Sequence, residues 1–389
     1  MQKTGSERPR RVCLIGPTYP YRGGIAHYTT LLAQQLRRAG EYHVLLISFS
    51  QQYPSWLFPG RDDRDPSARP LRTEAEYLLN PLNPLTWWRT WRRIKAWAPD
   101  LLVIPWWVPF WAPVWGVLGR AVKRLRHPPR LIFICHNVLP HESSYLDGLA
   151  LRWALAPGDG FLVHSQADGE RLRTYFPEAP LRVSPLPSYG PLLRERNTDG
   201  NLRLPDVPLL LFCGFVRPYK GLDILLQALP DVLRCRRVHL LVAGEFWQGE
   251  DPYRELVSEL QLEEAVTFEN RYVPDDELAA YLDAADVVVL PYRHATQSAV
   301  IQLAFGRGRP VITTGVGGLA EAVDHERTGL VVPPEDPGAL AQAILRYFDE
   351  DLKATFTANI EREQERFSWE RLVAQLEAVA LAARMETQL

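Results

Sequence analysis

The chain reads as α/β, with two Rossmann-like, doubly wound domains in tandem. Three observations predict this. Short apolar runs alternate with helical patterns from RVCLIG to FLVHS, stop at a Pro-rich and polar stretch, and restart at LLLFCGF. Each half opens by running a strand into glycine, IGPTYPYRGGIAHY in the first and FCGFVRPYKGLD in the second. The length of 389 residues, 46% of them hydrophobic, is enough for two ordinary cores.

Taken in order, the first half holds RVCLIG, the helix IAHYTTLLAQQLRRAG, HVLLISF, LLVIPW, the helix LGRAVKRL, LIFICH and FLVHS. VSPLPSYGPLL and RERNTDGNLRLPD then form a linker near residues 187–207. The second half holds LLLFCGF, the helix GLDILLQALPDVL, VHLLVAG, the helix YRELVSELQL, AVTFEN, the helix PDDELAAYLDAA, DVVVLP and PVITT. The spacing of Leu, Val and Ala in FSWERLVAQLEAVALAARM predicts a closing helix. Domains are expected at 1–190 and 191–365, with the last helix at 366–389.

Cys13, Cys135, Cys213 and Cys235 are far apart and lack metal-ligand spacing, which suits a reducing compartment. MQKTGSERPRR shows no apolar segment ahead of the first strand, so no signal or transit peptide is expected. Net charge is only −2, but residues 1–190 carry 24 basic against 14 acidic residues and residues 191–389 carry 20 against 32. A basic first half suits an anionic surface or substrate. No nucleic-acid partner is expected.

Glycine at a strand-to-helix corner lets backbone amides approach a phosphate, and the helix N-terminus adds partial positive charge. A plain structural turn explains such a corner equally well. Arg217 and Lys220 sharpen the second corner, because two cations there can hold a diphosphate by charge-assisted hydrogen bonds. A third corner, TTGVGGLAE, sets Gly317 and Gly318 ahead of Glu321, placing amides for phosphate beside a carboxylate for hydroxyls.

With these residues together, the chain resembles the retaining family 4 glycosyltransferases of the GT-B fold. The matching pieces are GPTYPYRGGIAHYTTLLAQQL, CHNVLPHE, FVRPYKGLDILLQAL, VAGEFW, NRYVPDDELAAYLDAADVVVLPY, GRGRPVITTGVGGLAE and FSWERL, in that order. The resemblance implies two Rossmann-like domains facing a cleft, the first for the acceptor and the second for a nucleotide-sugar, with the last helix crossing back to the first. It implies that Arg217 and Lys220 neutralise the leaving diphosphate, with no metal or cofactor and a UDP- or GDP-sugar as donor. Preorganised cations at a departing phosphate lower the barrier directly. Here Gly214 is followed by Phe215 and the arginine stands two positions later, which makes Lys220 the firmer assignment. Gly23 and Gly24 resemble the first-domain loop over the diphosphate, and His136 the histidine facing the donor sugar, against a plain hydrogen-bonding histidine. Glu245 is a candidate for base or ribose, or else a surface carboxylate. The Asp63-Arg64-Asp65 triplet spells a metal-binding signature of a different glycosyltransferase fold, but PGRDDRDPSARP reads as a solvated loop.

The family's usual pair of glutamates in the second domain is missing: Ala295 and Leu303 stand at those positions. Thr296, Gln297 and Ser298 remain where strand meets helix, as in a subgroup with an ATQS-type loop, and can donate to phosphate or sugar hydroxyls. A retaining reaction that uses the donor phosphate as base does not need those carboxylates. The competing reading is a degenerate or pseudo-transferase that binds sugar nucleotide without turnover.

Eight of the twelve tryptophans fall between Trp87 and Trp115, and nine basic residues but only Asp100 among acids lie between Arg89 and Arg130. That composition suits a peripheral contact with an anionic membrane, and equally a tryptophan-filled core. Leu101–Gly119 is uncharged, but Pro105, Pro109 and Pro113 argue against a membrane span. The expected function is hexosyl transfer from a nucleotide-sugar to a lipid-linked or glycan acceptor in cell-surface polysaccharide or glycolipid synthesis, by a cytoplasmic protein for which peripheral attachment to the inner face of the cell membrane is the further expectation. A small soluble acceptor and a non-catalytic sugar-nucleotide-binding protein are the alternatives.

Overall fold

The computed structural model describes residues 10–54, 62–67, 69–139, 145–193 and 205–386. Two compact units emerge, one of Met1–Phe58, Leu71–Ser184 and Trp369–Leu389, the other of Pro59–Pro70 and Pro185–Ser368. The middle of the expected linker, 194–204, lies outside the described residues, as do His141 and Glu142 of the CHNVLPHE piece.

In the first unit, β1 (Arg10–Ile15), β2 (Tyr42–Phe49), β3 (Glu76–Leu79), β4 (Leu101–Trp106), β5 (Arg130–Cys135), β6 (Gly160–Val163) and β7 (Leu181–Val183) form one sheet in the order β3-β2-β1-β4-β5-β6-β7. Every pairing is parallel. Helices α1 (Gly24–Arg38), α2 (Pro84–Trp97), α3 (Ala112–Lys123), α4 (Tyr145–Leu155) and α5 (Gln166–Arg173) make the crossovers. A parallel sheet must be covered on both faces, which is why β4 and β5 read as unbroken apolar runs. Asn83 starts α2 by accepting from the Leu85 N–H with Pro84 behind it, and Ser165 starts α5 by accepting from the Asp168 N–H. The closing helix, Trp369–Glu386, belongs to this unit: Arg10 and Tyr42 both donate to Glu377, at 2.9 and 2.6 Å.

The tryptophan-rich segment divides by position. Trp106, Trp107, Trp111 and Trp115 are buried with Phe49, and Trp111 stacks on Trp115 with ring centroids 5.2 Å apart. Trp87, Trp91 and Trp97 are half-buried, and Trp88 is exposed. Leu101–Gly119 is cut into β4, a short turn and α3, and among the described residues no helix is long and apolar enough to cross a membrane. Pro105 is tolerated inside β4 because the pairing with β1 ends at Val103, so its missing N–H removes no bond to that neighbour.

In the second unit, β8 (Leu209–Cys213), β9 (His239–Ala243), β10 (Val266–Glu269), β11 (Val287–Leu290), β12 (Val311–Thr314) and β13 (Gly329–Val332) form a parallel sheet in the order β10-β9-β8-β11-β12-β13. Helices α6 (Leu222–Cys235), α7 (Asp251–Glu259), α8 (Asp275–Ala284), α9 (Ala299–Gly306), α10 (Gly317–Ala322), α11 (Pro337–Asp349) and α12 (Leu352–Arg362) complete it. In each sheet the direction of winding reverses beside one strand, β1 in the first unit and β8 in the second. Both glycine corners predicted from sequence leave those two strands, at the point where an open parallel sheet leaves a crevice for ligands.

Candidate functional site

In the second unit, the residues singled out from sequence form a contiguous rim beyond the C-terminal ends of β8, β9, β11 and β12. Gly214 follows β8 at φ +93°, a conformation that favours glycine, and a Cβ there would stand 3.2 Å from the Lys220 Nζ. Gly221 then turns the chain into α6 at φ +67°, so close that a Cβ would meet the Pro291 carbonyl at 2.0 Å. The Lys220 side chain is therefore folded back over Gly214, buried, with its ammonium 5.3 Å from the Tyr292 ring centroid.

Burial pushes the Lys220 amine down to about 8, and the nearby Arg217 charge adds to this. The Cys213 thiol acts in the other direction, but burial raises that thiol to about 12, so it carries no charge at neutral pH. Among the described residues no carboxylate pairs with either Lys220 or Arg217. The exposed Arg217 guanidinium lies over the rings of Tyr219 and Trp247, 5.1 and 5.2 Å from their centroids. Two cations without a carboxylate partner, one of them at the expense of its own hydration, leave positive charge that an anion can take up.

The loop is braced from PYRH. Arg293 donates to both Asp223 oxygens at 2.9 and 2.6 Å and to the Pro218 carbonyl at 2.7 Å, and its N–H binds the Tyr219 carbonyl. Sequence reading missed this residue, because its partner Asp223 is distant in the chain.

Ala295 to Ser298 interlock with the start of α10. The Gly318 N–H donates to the Thr296 carbonyl at 3.1 Å, and a Cβ on Gly318 would lie 2.1 Å from Gln297 Nε2 and 2.3 Å from that carbonyl. Gly317, at φ +48°, would place a Cβ 1.9 Å from the Ala295 carbonyl. Gln297 Nε2 is buried with no hydrogen-bond partner, and Ser298 is the buried N-cap residue of α9 but makes no side-chain cap. Both leave donor capacity at a helix start. Glu321 is half-buried one turn into α10, its carbonyl accepting from Arg366 at 2.6 Å. Glu245 is 3% exposed, so it is not a surface carboxylate. It follows Gly244, whose Cβ would strike the Gly214 carbonyl at 2.1 Å, and so stands beside the Lys220 loop.

Of the missing glutamates, Leu303 is buried in α9 and Ala295 gives its backbone to the contact with Gly317. Asp63 and Arg64 are paired at 3.5 Å, and Asp65 accepts from the Ser67 N–H within the same loop.

In the first unit, Gly23 is the N-cap of α1 at φ +101° and Gly24 its first residue; a Cβ on Gly23 would meet open space, so the backbone angle alone asks for glycine. His136 leaves β5 with its N–H on the Trp106 carbonyl at 2.8 Å. Its ring packs edge-on to Tyr28 at 4.6 Å and lies 5.2 Å from His164, and its Nε2 is buried without a partner. Burial, with His164 adding, holds the His136 imidazole well below its usual range. Burial brings His164 to about 4 despite the Ser184 carbonyl 2.9 Å from its Nδ1. Both rings are neutral at pH 7. His164 was missed in the sequence, where FLVHS repeats the strand-then-histidine pattern of LIFICH and was read only as a strand.

Residues 22–187 match the profile described as Glycosyltransferase Family 4, and residues 207–350 the one described as Glycosyl transferases group 1. A D-inositol 3-phosphate glycosyltransferase 1 from Catenulispora acidiphila is 31% identical over 293 residues, 69% of this chain and 70% of that protein. A D-inositol 3-phosphate glycosyltransferase from Saccharomonospora viridis is 30% identical over 234 residues, 56% and 54% of the two chains. The chain spans about half the length of the first curated relatives it matches. Among solved structures, a sucrose-phosphate synthase from Thermosynechococcus elongatus superposes with a TM-score of 0.70 at 24% identity, covering 97% and 98% of the two chains. Anabaena HepE in complex with UDP-glucose does so at 0.70 and 19% identity, covering 97% and 100%. The fold is thus GT-B. Two profiles in tandem, the order of the glycine corners and a relative aligned over two thirds of its length agree, and the chain belongs to the group 1, family 4 glycosyltransferases.

Proposed function

We propose that the chain is a retaining glycosyltransferase that moves a hexosyl group from a UDP- or GDP-sugar to a lipid-linked or glycan acceptor, in cell-surface polysaccharide or glycolipid synthesis. The observation that carries this is the buried, carboxylate-free Lys220 beside Arg217 at the switch point of the second sheet. A diphosphate supplies the anion these cations lack. As the sugar–phosphate bond breaks, negative charge builds on the phosphate oxygens, and two preset cations, Lys220 buried and Arg217 at the surface, stabilise it with little reorganisation. This discharges the main electrostatic task with protein cations, so no metal is assigned.

Gly317, Gly318, Gln297 and Ser298 offer further donors and Glu245 and Glu321 accept from hydroxyls, while the family resemblance assigns His136, a neutral imidazole, to the sugar and Gly23 and Gly24 to the diphosphate. With Leu303 and Ala295 in place of carboxylates, the departing phosphate takes the acceptor's proton as that hydroxyl attacks on the same face. Peripheral attachment to the inner face of the cell membrane completes this reading.

The UDP-glucose in the HepE structure makes UDP-sugars the first donors to test. The names of the inositol-phosphate relatives favour a second reading, a small phosphorylated acceptor. The test is a panel of UDP- and GDP-sugars with D-inositol 3-phosphate and polyprenyl-linked acceptors, with and without EDTA, the anomeric outcome being read by NMR. UDP binding with no transfer or donor hydrolysis anywhere in the panel would refute the enzyme in favour of a binding protein. Loss of activity with EDTA that returned with a metal would refute metal independence.

A further inference from the structure

We propose that the outer face of α2, α3 and α4 is a docking surface for an anionic lipid bilayer. It deepens the reading of a transferase for lipid-linked acceptors, and its purpose rests on that reading. The three helices form one layer over the first sheet. Trp91 Nε1 donates to the Ala121 carbonyl, joining α2 to α3, and the Trp153 ring of α4 lies so close over Gly116 of α3 that a Cβ there would fall 2.0 Å away. Their inner sides, Ile94, Trp115, Leu118 and Leu151, enter the core against Leu131 and Phe133 of β5.

The outer sides break the usual pattern of a solvated helix. Among the described residues, seven of the ten large apolar side chains that are exposed lie on these three helices. Leu85 and Trp88 on α2 are 66% and 51% exposed, and Leu146, Leu149 and Trp153 follow at helical spacing on α4. Val117 on α3 lies between them in sequence and in the layer. A soluble surface scatters such residues singly, so their concentration on one layer marks an interaction face.

The charge says what covers it. Arg89, Arg92 and Lys95 share the outer stripe of α2, and Arg124 and Arg152 are exposed on or beside α3 and α4. None of these five has a carboxylate partner among the described residues. Arg92 stands 4.8 Å over the Trp88 ring and Arg120 4.6 Å over the Trp153 ring, which pairs each exposed indole with a guanidinium. Aromatic side chains flanked by cations are the composition of a membrane interface, with indoles at headgroup depth and cations on anionic headgroups. A protein partner with an acidic apolar groove and a second copy of the chain are the other possible occupants. The second copy is disfavoured, because like patches repel.

The full chain is floated with vesicles of phosphatidylcholine alone and of an equimolar mixture with phosphatidylserine, and UDP binding is measured separately. The wild type is expected to float with the mixture, not with phosphatidylcholine alone, and to be released by salt. Arg89→Ala with Arg92→Ala is expected to lower partitioning roughly 25-fold, at about fivefold per cation. Leu85→Ser with Leu149→Ser is expected to abolish flotation. Both variants should keep the wild type's circular dichroism and the hydrogen-exchange protection of β4 and β5, which shows the first unit folded. Equal recovery with both vesicles, no recovery, unchanged flotation of either variant, or a wild-type dimer that Leu85→Ser with Leu149→Ser dissociates would overturn the proposal. Flotation without transfer to any acceptor would leave the docking surface standing and refute the transferase reading instead.

Discussion

Replacing Lys220 by Met should make the ligand-free second unit more stable while removing its grip on nucleoside diphosphate. Burial brings the amine from its ordinary 10.5 down to about 8, a difference worth about 3 kcal/mol against the charged form. Methionine keeps most of the chain volume and needs no hydration, but gives up the ammonium's contact with the Tyr292 ring, worth ~1 kcal/mol. The net expectation is a gain of about 2 kcal/mol at pH 7. Its sign with pH follows from linkage. The folded pKa lies below the unfolded one, so between pH 8 and 10.5 the unfolded chain binds more protons and the wild type gains stability as pH rises. The advantage of Lys220→Met is therefore full below pH 8 and shrinks toward pH 10.5. Hydrogen exchange of peptides from β8 and α6 measures this unit apart from the other. Excess UDP should slow exchange in the wild type and leave the variant unchanged. A variant that is less stable at pH 7, or that UDP protects as much as the wild type, would refute the view that Lys220 is held in strain for a diphosphate.

Gly318→Ala puts a methyl against Gln297 and the Thr296 carbonyl, so the ATQS loop and α10 must part; an overpacking cost of about 1–3 kcal/mol and at least a tenfold fall in kcat/KM are expected, read by thermal shift and donor turnover. Leu303→Glu, which restores a family carboxylate, buries an unpaired charge in α9; a loss of roughly 3 kcal/mol with lower turnover is expected, whereas a gain in turnover would show that the site had decayed. Because His136 and His164 are both held neutral, kcat/KM measured from pH 6 to 7.5 should show no histidine inflection, and His136→Phe should lower it about tenfold, the worth of one hydrogen bond.

Much of the fold was legible because buried parallel strands advertise themselves. LLVIPW, LIFICH, LLLFCGF and DVVVLP are apolar on both faces, and both glycine corners could be placed at strand ends. The edge strands β3, β7 and β13 were missed: EYLL and LRV are only four and three residues long and each carries a charge, and GLVV opens on a glycine, so none forms a distinctive run. Arg293 and His164 were missed because their significance lies in partners distant along the chain, Asp223 and His136.

By itself, the sequence determined the α/β class, the two glycine corners and the absence of the usual glutamates, since periodicity, turn chemistry and residue identity are local properties. PYRHATQSAVIQLAFGRGRP, read alone, showed only that polar groups crowd a strand-to-helix corner. Tertiary packing decided what that corner does: Arg293 braces the Lys220 loop, Tyr292 faces the ammonium, and Gly317 and Gly318 admit the ATQS backbone. It also decided which tryptophans are core and which face outward, because Trp106 ends β4 and Trp111 and Trp115 turn inward from the short turn and α3, while Trp88 and Trp153 stand on the outer sides of helices. Burial belongs to the packed chain, and with it come the lowered Lys220 amine, the neutral histidines and the exposed basic face.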